Sequence, residues 1–449
     1  MAETTDLARA YEALSGKQTT YSRLWDFYDG RQPLVYNSKR LQEVFNRLDA
    51  RFTQNWCAVV VDAVVDRVNV ARFTVADNEQ ASARLNDLWE RTHMALDSDD
   101  AHLAALVTGE AYVMCWREEG GEVEAYYNDP RLCHLFYDPD HPRRKSFAAK
   151  WWVGGDDRRY LTLYYPERLE YYVSKGKSEN VQGPESFEPT EEATAPNPWG
   201  VVPVFQVVRE RRAVKSELVN VIEPQNAINK LLADMMVAAE FGAFRQRYII
   251  SNVETNGRLK NAPNEIWDIP AGDGGGQATS VGEFSQTDLG GYLNAIDKIV
   301  SAVAIITRTP KHYLFQQAGD PSGEALAAME APLIKKIAKL TERWGTTWGE
   351  VGAFLLTLDG VTVDEAAVTP VFDSIETQQP NTVASTRQLA VSAGIPLATQ
   401  LRRFEGWTEQ QLAEMDADKQ AEQAAAQASM ANALLDAERR FSQGNDGGE

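Results

Sequence analysis

Apolar residues recur at helical spacing near the start of the chain and at strand-like spacing further on. Residues 1–30 predict a helix that ends at Gly30. An apolar run over residues 55–70 predicts a second helix, and residues 81–108 predict a third. The first hundred residues are therefore expected to be mainly helical.

The pattern changes between Gly109 and Val208, where short apolar runs are separated by turn residues. Residues 174–200 are rich in Ser, Glu, Pro and Gly and predict a polar loop. The predicted strands are 111–116, 123–127, 147–153, 160–165, 169–173 and 201–208. This section predicts a mainly antiparallel sheet, and the chain as a whole an α+β fold.

Two apolar stripes of helical period enclose a short section of strands and glycines. Residues 216–241 and 288–307 predict the two helices. Residues 245–286 between them predict short strands and a glycine-rich loop. This helix–β–helix excursion, residues 216–307, is the most informative topological feature of the pattern.

A third long helix is predicted after a break at residues 309–320. Asp320 and Pro321 predict its N-cap and first turn, and Pro332 predicts a kink within it. A short strand-like piece follows at 361–372. From residue 380 to the end the chain predicts helix, rich in Ala, Gln and Glu over 408–443.

The composition is that of an acidic globular protein of about three domains. The 449 residues include 65 Asp and Glu against 45 Lys and Arg, for a net charge of −20. Such a charge repels phosphate backbones and argues against a protein that coats nucleic acid. Three cysteines favour a reducing compartment.

The N-terminus is polar, and the apolar stretches at 58–65 and 201–208 are shorter than the roughly 18 residues of a membrane span. We therefore expect an intracellular protein with no membrane partner.

Motifs for cofactor or metal chemistry are weak. The string Gly176-Lys177-Ser178 lacks the first glycine of a phosphate-binding loop and predicts a surface turn. A metal cluster could be drawn from five nearby residues, but their spacing matches no zinc pattern. They are Cys133, His134, Asp138, Asp140 and His141. We expect no cofactor and no metal.

Residues 298–343 form a locally basic segment, with seven Lys and Arg against four acids. Lys336, Lys339 and Arg343 are spaced by three and four residues and share one helix face. Two interpretations remain open: a solvated surface stripe, or a face that meets an anion.

Seven strings, in order along the chain, resemble signatures of tailed-bacteriophage portal proteins. They are YDGRQPL from Tyr28, NWCAVVVDAVVD from Asn55, GEAYV from Gly109, GVVPVF from Gly200, SEL from Ser216, EPQNAIN from Glu223 and PSGEAL from Pro321. Together with the helix–β–helix order they cover residues 20 to about 360. The resemblance is strongest to siphophages that infect actinobacteria.

The resemblance implies a portal-type subunit with a helical and β wing, two stem helices that bracket a small β clip, a long kinked helix and a helical crown. Its parts would be a wing at 1–215, stem helices at 216–242 and 288–307, a clip at 243–287, a tunnel loop at 308–321, the long kinked helix at 322–357, a wing return at 358–380 and the crown at 381–449.

It also implies a homo-oligomeric ring, typically of twelve subunits, at one capsid vertex of the virion. Double-stranded DNA would pass through its channel during packaging and ejection. The implied partners are the terminase large subunit, the head–tail adaptor, the major capsid protein and the scaffold, and assembly would take place in the host cytoplasm. The packaging ATPase is the terminase, so the chain itself is expected not to be an enzyme.

The resemblance places the DNA contacts in the tunnel loop, and the charge pattern adds the basic helix face as a second candidate. The tunnel-loop residues would be Lys311, His312, Tyr313, Gln316 and Gln317. Lys336, Lys339 and Arg343 would form a second basic ring, with a salt bridge between subunits as the open alternative for Lys336 and Lys339.

Two alternatives are open. The 11 Trp and 16 Tyr residues would suit a polysaccharide-active enzyme with an acidic, aromatic-lined cleft. A packaging ATPase is disfavoured because the phosphate-binding loop is missing.

Overall fold

A computed structural model gives the architecture for most of the first 375 residues. The described residues are 5–33, 53–118, 120–243, 247–250, 280–283, 288–314, 322–375, 388–390, 392–404 and a few positions between 412 and 423. The chain divides into two compact units, Met1–Ile375 and Glu376–Glu449.

Two helices open the chain, as predicted. Helix α1 spans Asp6–Tyr28, and Gly30 follows it at φ +74°, a left-handed conformation that suits glycine. Helix α2 spans Trp56–Val65 and is capped by the side chain of Asn55. It is shorter than the predicted 55–70 because the chain turns at once into strand β1, Val70–Val75.

The single helix predicted at 81–108 is wrong, because two helices occupy this section. Helix α3 spans Glu79–Arg91 and helix α4 spans Met94–Thr108. His93 between them has φ +56°, which breaks the helical path. The break lets α4 change direction and bury most of its surface.

Eight strands follow, and every pairing between them is antiparallel, as predicted. They are β2 Glu110–Arg117, β3 Val123–Asn128, β4 Cys133–Tyr137, β5 Lys145–Val153, β6 Arg158–Tyr164, β7 Arg168–Lys177, β8 Phe187–Pro196 and β9 Val204–Val208. They form a three-stranded sheet in the order β3-β2-β9 and a five-stranded sheet in the order β4-β5-β6-β7-β8.

Two of these strands were not predicted. Strand β4 contains the Cys133-His134 pair; Cys133 and Leu135 are buried, and the other three residues are partly exposed. Strand β8 lies in the predicted polar loop and carries Pro189 and Pro196 at the edge of the sheet. Proline and charge are tolerated at an edge because one side of the strand makes no ladder hydrogen bonds.

The helix–β–helix order is present. A 3₁₀ turn at Glu217–Asn220 leads into helix α5, Ile222–Ala243. Strands β10, Arg247–Ile250, and β11, Ser280–Glu283, pair antiparallel. The rest of residues 243–287, including the glycine-rich loop, lies outside the described residues. Helix α6 then spans Leu289–Thr307 with Asp288 as its N-cap.

The remaining described elements are one short and one long helix, a strand and a C-terminal helix. They are α7 Lys311–Leu314, α8 Gly323–Leu358, β12 Val368–Phe372 and α9 Leu397–Phe404. Ser322 caps α8, so the predicted N-cap at Asp320 is wrong, and Asp320 and Pro321 lie outside the described residues. Pro332 lies within α8, and the kink there stays a prediction.

The main core of the first unit lies where α8 packs against α3, α4 and the three-stranded sheet. Trp344 and Trp348 of α8 are fully buried. Trp344 donates a hydrogen bond to the Val208 carbonyl, and Trp348 donates one to Nε2 of His102, each 2.9 Å long. The His102 ring also stacks on Trp344 with centroids 4.5 Å apart.

Strand β12 pairs with β1, which returns the chain to the N-terminal helices after α8. A second, smaller core forms where Ala10 and Leu14 of α1 pack on Phe147 and Trp151 of the five-stranded sheet. In the second unit, most of the helix predicted over 408–449 lies outside the described residues.

Candidate functional site

The start of α5 and the end of α6 meet at one lysine of α8. The ammonium of Lys336 donates to Oε1 of Glu217, at 2.6 Å, and to the carbonyl of Thr307, at 2.9 Å. Glu217 lies in the 3₁₀ turn before α5, and Thr307 is the last residue of α6. Both ends of the helix–β–helix excursion are therefore joined to α8 through this contact.

This ion pair is largely shielded from solvent. The side chains of Lys336 and Glu217 are 12% and 7% exposed. Burial lowers the pKa of Lys336, and the neighbouring Glu217 carboxylate acts in the opposite direction. The other oxygen of Glu217 accepts from Nη1 of Arg209 at 3.0 Å. One carboxylate thus receives two cations.

The basic face of α8 is not the row of exposed cations that its spacing suggests. Arg343 donates to the carbonyl of Arg209, and Lys336 is held by Glu217. Lys339 is exposed. Of the three residues predicted to form a second basic ring, two make contacts within the chain itself.

The segment after α6 begins with polar contacts to the body of the subunit. Nζ of Lys311 lies 3.4 Å from Oδ1 of Asp297 on α6. Tyr313 donates from its hydroxyl to Oε1 of Glu330 at 2.9 Å. Nε2 of His312 lies 3.7 Å from the same oxygen.

Arg67, just after α2, completes this cluster. Its guanidinium lies 3.2 Å from Oε1 of Glu330 and donates to the Tyr313 hydroxyl. His312 and Tyr313 therefore face the interior of the subunit. Lys311 keeps about a third of its side chain exposed, and Gln316 and Gln317 lie outside the described residues.

Sequence reasoning missed the partners in both clusters. Glu217 was noted only as part of the SEL string, and Glu330 only as one of four acids in a basic segment. Asp297 and Arg67 were not singled out as partners. No local pattern could have found them, because each contact joins residues that are far apart along the chain or lie on separate elements.

Three large apolar side chains of α6 are exposed. Leu293, Ile305 and Ile306 are 57%, 78% and 54% exposed, while Ile296 and Val300 are buried. Among the described residues, α6 is the one helix long and apolar enough to cross a membrane by length and composition, with a mean hydropathy of 1.4. Only 22% of this apolar stretch of α6 is buried within the chain.

The apolar stretches noted in the sequence, at 58–65 and 201–208, do not include α6. Asp297 and Lys298 lie at the middle of the helix, and Asp297 pairs with Lys311. An apolar helix of this length can pack against another protein or span a bilayer. Length and composition therefore do not distinguish the two for α6.

A buried charged network lies inside the first unit, where α1 crosses β2 and β4. The carboxylate of Glu110 accepts from Nζ of Lys17 at 3.0 Å, from the hydroxyls of Tyr21 and Tyr112 at 2.8 and 2.7 Å, and from Nε2 of Gln206 at 2.7 Å. Burial opposes ionisation, yet Lys17, His134 and the two hydroxyls hold the pKa of Glu110 below its ordinary value.

His134 of β4 borders this network. Its Nδ1 lies 3.1 Å from Nζ of Lys17. Lys17 is a donor, so Nδ1 accepts and the ring is neutral. Burial, followed by the charge of Lys17, lowers the pKa of His134 to about 4.

Within the described part of the chain, no group of three or more His, Cys, Asp and Glu side chains could hold a metal ion. Cys133 is buried in β4, and the exposed His141 lies 3.7 Å from Asp138.

Comparison with known proteins agrees with the resemblance found in the sequence. Residues 15–425 match the family model described as "Phage portal protein, SPP1 Gp6-like". The portal proteins of Mycobacterium phages L5 and D29 are 25% and 24% identical over 315 residues. Each match covers 65% of this chain and 62% of the relative, so the chain spans less than two thirds of the length of these relatives.

Two solved structures of gene transfer agent (GTA) particles are also similar, each over 83% of this chain and 95% of theirs. They are the neck of an empty GTA particle computed with C6 symmetry, with a TM-score of 0.44 and 12% identity, and the virion of a native GTA particle, with 0.41 and 14%. Because the family model matches most of the sequence, the chain belongs to the SPP1 Gp6-like family of phage portal proteins.

Proposed function

We propose that this chain assembles into a homo-oligomeric ring, of about twelve subunits as the family resemblance suggests, and that the ring forms the portal vertex of a phage capsid. The exposed apolar side chains of α6 carry this proposal. Leu293, Ile305 and Ile306 would leave a large apolar area in water in an isolated subunit. A repeated head-to-tail contact that closes on itself can cover these side chains in every copy.

The family consists of structural proteins of phage particles and not of enzymes. Nothing in the described residues favours the polysaccharide-active alternative, and the buried Glu110 network is enclosed by α1 and the strands β2, β4 and β9. We therefore propose one function, that of a conduit.

In this proposal the wing is residues 1–215 with the return at 358–380, and α5 and α6 are stem helices. The section 243–287 is the clip that docks the terminase and later the head–tail adaptor. The major capsid protein and scaffold would meet the outside of the ring, and the crown at 381–449 would face the capsid interior. The ring would assemble in the host cytoplasm and remain in the virion.

The net charge supports a conduit that does not hold its cargo. A subunit charge of −20 makes a ring strongly acidic, so double-stranded DNA would be repelled over most of the wall. A few donors at the narrowest point could still touch phosphates without reading sequence. We propose Lys311, Gln316 and Gln317 for this role, with Lys339 as the exposed member of the basic face of α8.

Replacing Ile305 with Asp should prevent ring formation. A charge at the centre of a buried apolar contact costs several kcal/mol per subunit unless it is paired. The control is Leu96 to Asp, which changes a residue of similar exposure (70%) on α4. Light scattering and negative-stain images should show rings for the control and smaller species for Ile305→Asp. Rings formed by both variants would mean that Ile305 and its surroundings on α6 do not form the subunit contact.

The combined replacement of Lys311, Gln316 and Gln317 with Ala should leave rings intact and lower the amount of DNA packaged or retained several-fold. The reason is the loss of a ring of phosphate contacts, which are sensitive to salt. Lys177→Ala with Gln182→Ala, two exposed wing positions, is the control. Packaging and retention at wild-type level in the triple variant would place the DNA contact elsewhere.

A further inference from the structure

The helix–β–helix excursion leaves and returns to the body of the subunit at neighbouring points. Glu217 lies just before α5, and Thr307 ends α6, 90 residues later. The two helices pack against each other, and both ends contact the same side chain of α8. The direction in which the pair projects therefore depends on how this junction is held.

The end of α6 offers Lys336 an acceptor that helix geometry leaves unpaired. The last carbonyls of an α-helix have no partner within the helix. Arg308 follows Thr307 in the left-handed region, at φ +60°, so the chain turns away and leaves the Thr307 carbonyl to another donor. A cation at this end also complements the helix dipole.

The Thr307 side chain also stabilises the last turn of α6. Its hydroxyl donates to the Val303 carbonyl at 2.7 Å and lies 2.9 Å from the hydroxyl of Thr309. Thr307 and Thr309 are both buried. The final turn of α6 is thus held in a fixed conformation where Lys336 meets it.

The start of α5 is held through Glu217. Ser216, the N-cap of the 3₁₀ turn, donates to the Val107 carbonyl of α4 and accepts from the backbone of Leu218. Glu217 then binds Arg209 and Lys336 with separate oxygens. The turn before α5 is therefore tied to α4 by a neutral hydrogen bond and to α8 by the ion pair.

We propose that Lys336 is a positioning residue. Its single ammonium binds both the turn before α5 and the last carbonyl of α6, and this link, called the clasp below, fixes the direction in which the helix pair leaves the subunit. This assigns Lys336 a role inside the subunit in place of a DNA contact. The inference rests on contacts within one chain and holds whether or not the ring forms.

The test is hydrogen exchange of the full-length protein carrying Lys336→Met, which keeps the length and apolar stem of the side chain and removes its charge. Losing a buried charged hydrogen bond should raise exchange about tenfold in two separate segments, 217–229 and 296–307. Segment 94–108 in α4 should exchange as in the wild type. The matched control is Lys339→Met, at an exposed position three residues further along α8.

Faster exchange at both helix ends with Lys336→Met, and at neither with Lys339→Met, supports the clasp. A change confined to α8, or no change at either end, overturns it. Glu217→Gln gives a second measure should Lys336→Met fold poorly. It should loosen 217–229 more than 296–307, because the contact to the Thr307 carbonyl remains, and equal or absent effects would contradict the proposal.

Discussion

Replacing Glu110 with Leu should lower the free energy of unfolding by about 3–5 kcal/mol. Glu110 is buried and accepts hydrogen bonds from Lys17, Tyr21, Tyr112 and Gln206. Leucine would leave a buried ammonium without its counter-charge and the other donors without their acceptor. Urea unfolding followed by tryptophan fluorescence should report the loss.

The control for this prediction is Glu118→Leu, an exposed position just after β2. Its effect should stay within about 0.5 kcal/mol. Lys17→Met combined with Glu110→Leu should be less destabilising than the sum of the two single changes, because the double variant buries no unpaired charge. A loss for Glu110→Leu of no more than that of the control would mean that the network contributes nothing to stability.

The second large effect should be a loss of stability in mild acid. Burial lowers the pKa of His102 to about 3, and burial together with Lys17 lowers that of His134 to about 4. The ordinary pKa of histidine is about 6.5. Below that pH the unfolded chain binds a proton at each site that the folded chain does not, so stability falls as the pH falls.

Each histidine should cost about 1.4 kcal/mol per pH unit in this window. Because the unfolded histidines are only half protonated at pH 6.5, the two together should cost about 3 kcal/mol between pH 6.5 and 5. His134→Gln should remove about half of the slope that these histidines cause, whereas His141→Gln, at an exposed position, should leave the slope unchanged. Urea unfolding midpoints measured between pH 6.5 and 5 would show these differences. If stability depends on pH in His134→Gln as it does in the wild type, His134 is protonated in the folded protein.

The predicted loss of stability in acid has a different structural cause at each histidine. His102 is packed between Trp344 and Trp348 and accepts a hydrogen bond from Trp348. His134 is held neutral by the donor Lys17. Protonating either ring requires a donor to be displaced, so acid would act first at the two places where α1 and α8 join the rest of the subunit.

Long elements with a regular apolar period were predictable. Helices α1, α6 and α8 and most strands of the two sheets lie close to their predicted positions, because one face of each is buried and the residue pattern records that face. Strand β8 was missed because an edge strand needs little apolar content. The break at His93 was missed because a single left-handed residue leaves no mark on the pattern on either side.

The sequence pattern drew attention to two segments but did not show which contacts their side chains make. The sequence pointed to 308–321 and to one face of α8 as candidate DNA contacts. It treated Lys336 and Arg343 as exposed cations, since spacing of three and four shows only that residues share a face. Whether that face meets solvent or another element of the fold is not recorded in the spacing.

Within the described residues, the sequence by itself determined most of the helices and strands and the helix–β–helix order. It also determined the acidic charge and the family resemblance, because each of these depends on residue type and local order. Tertiary structure alone decided which charges are buried and with which partners. Glu217 and Lys336, like Lys17 and Glu110, are brought together by packing between elements far apart along the chain. Burial strengthens those interactions and shifts the pKa values, so the roles of these residues could be assigned only from the folded chain.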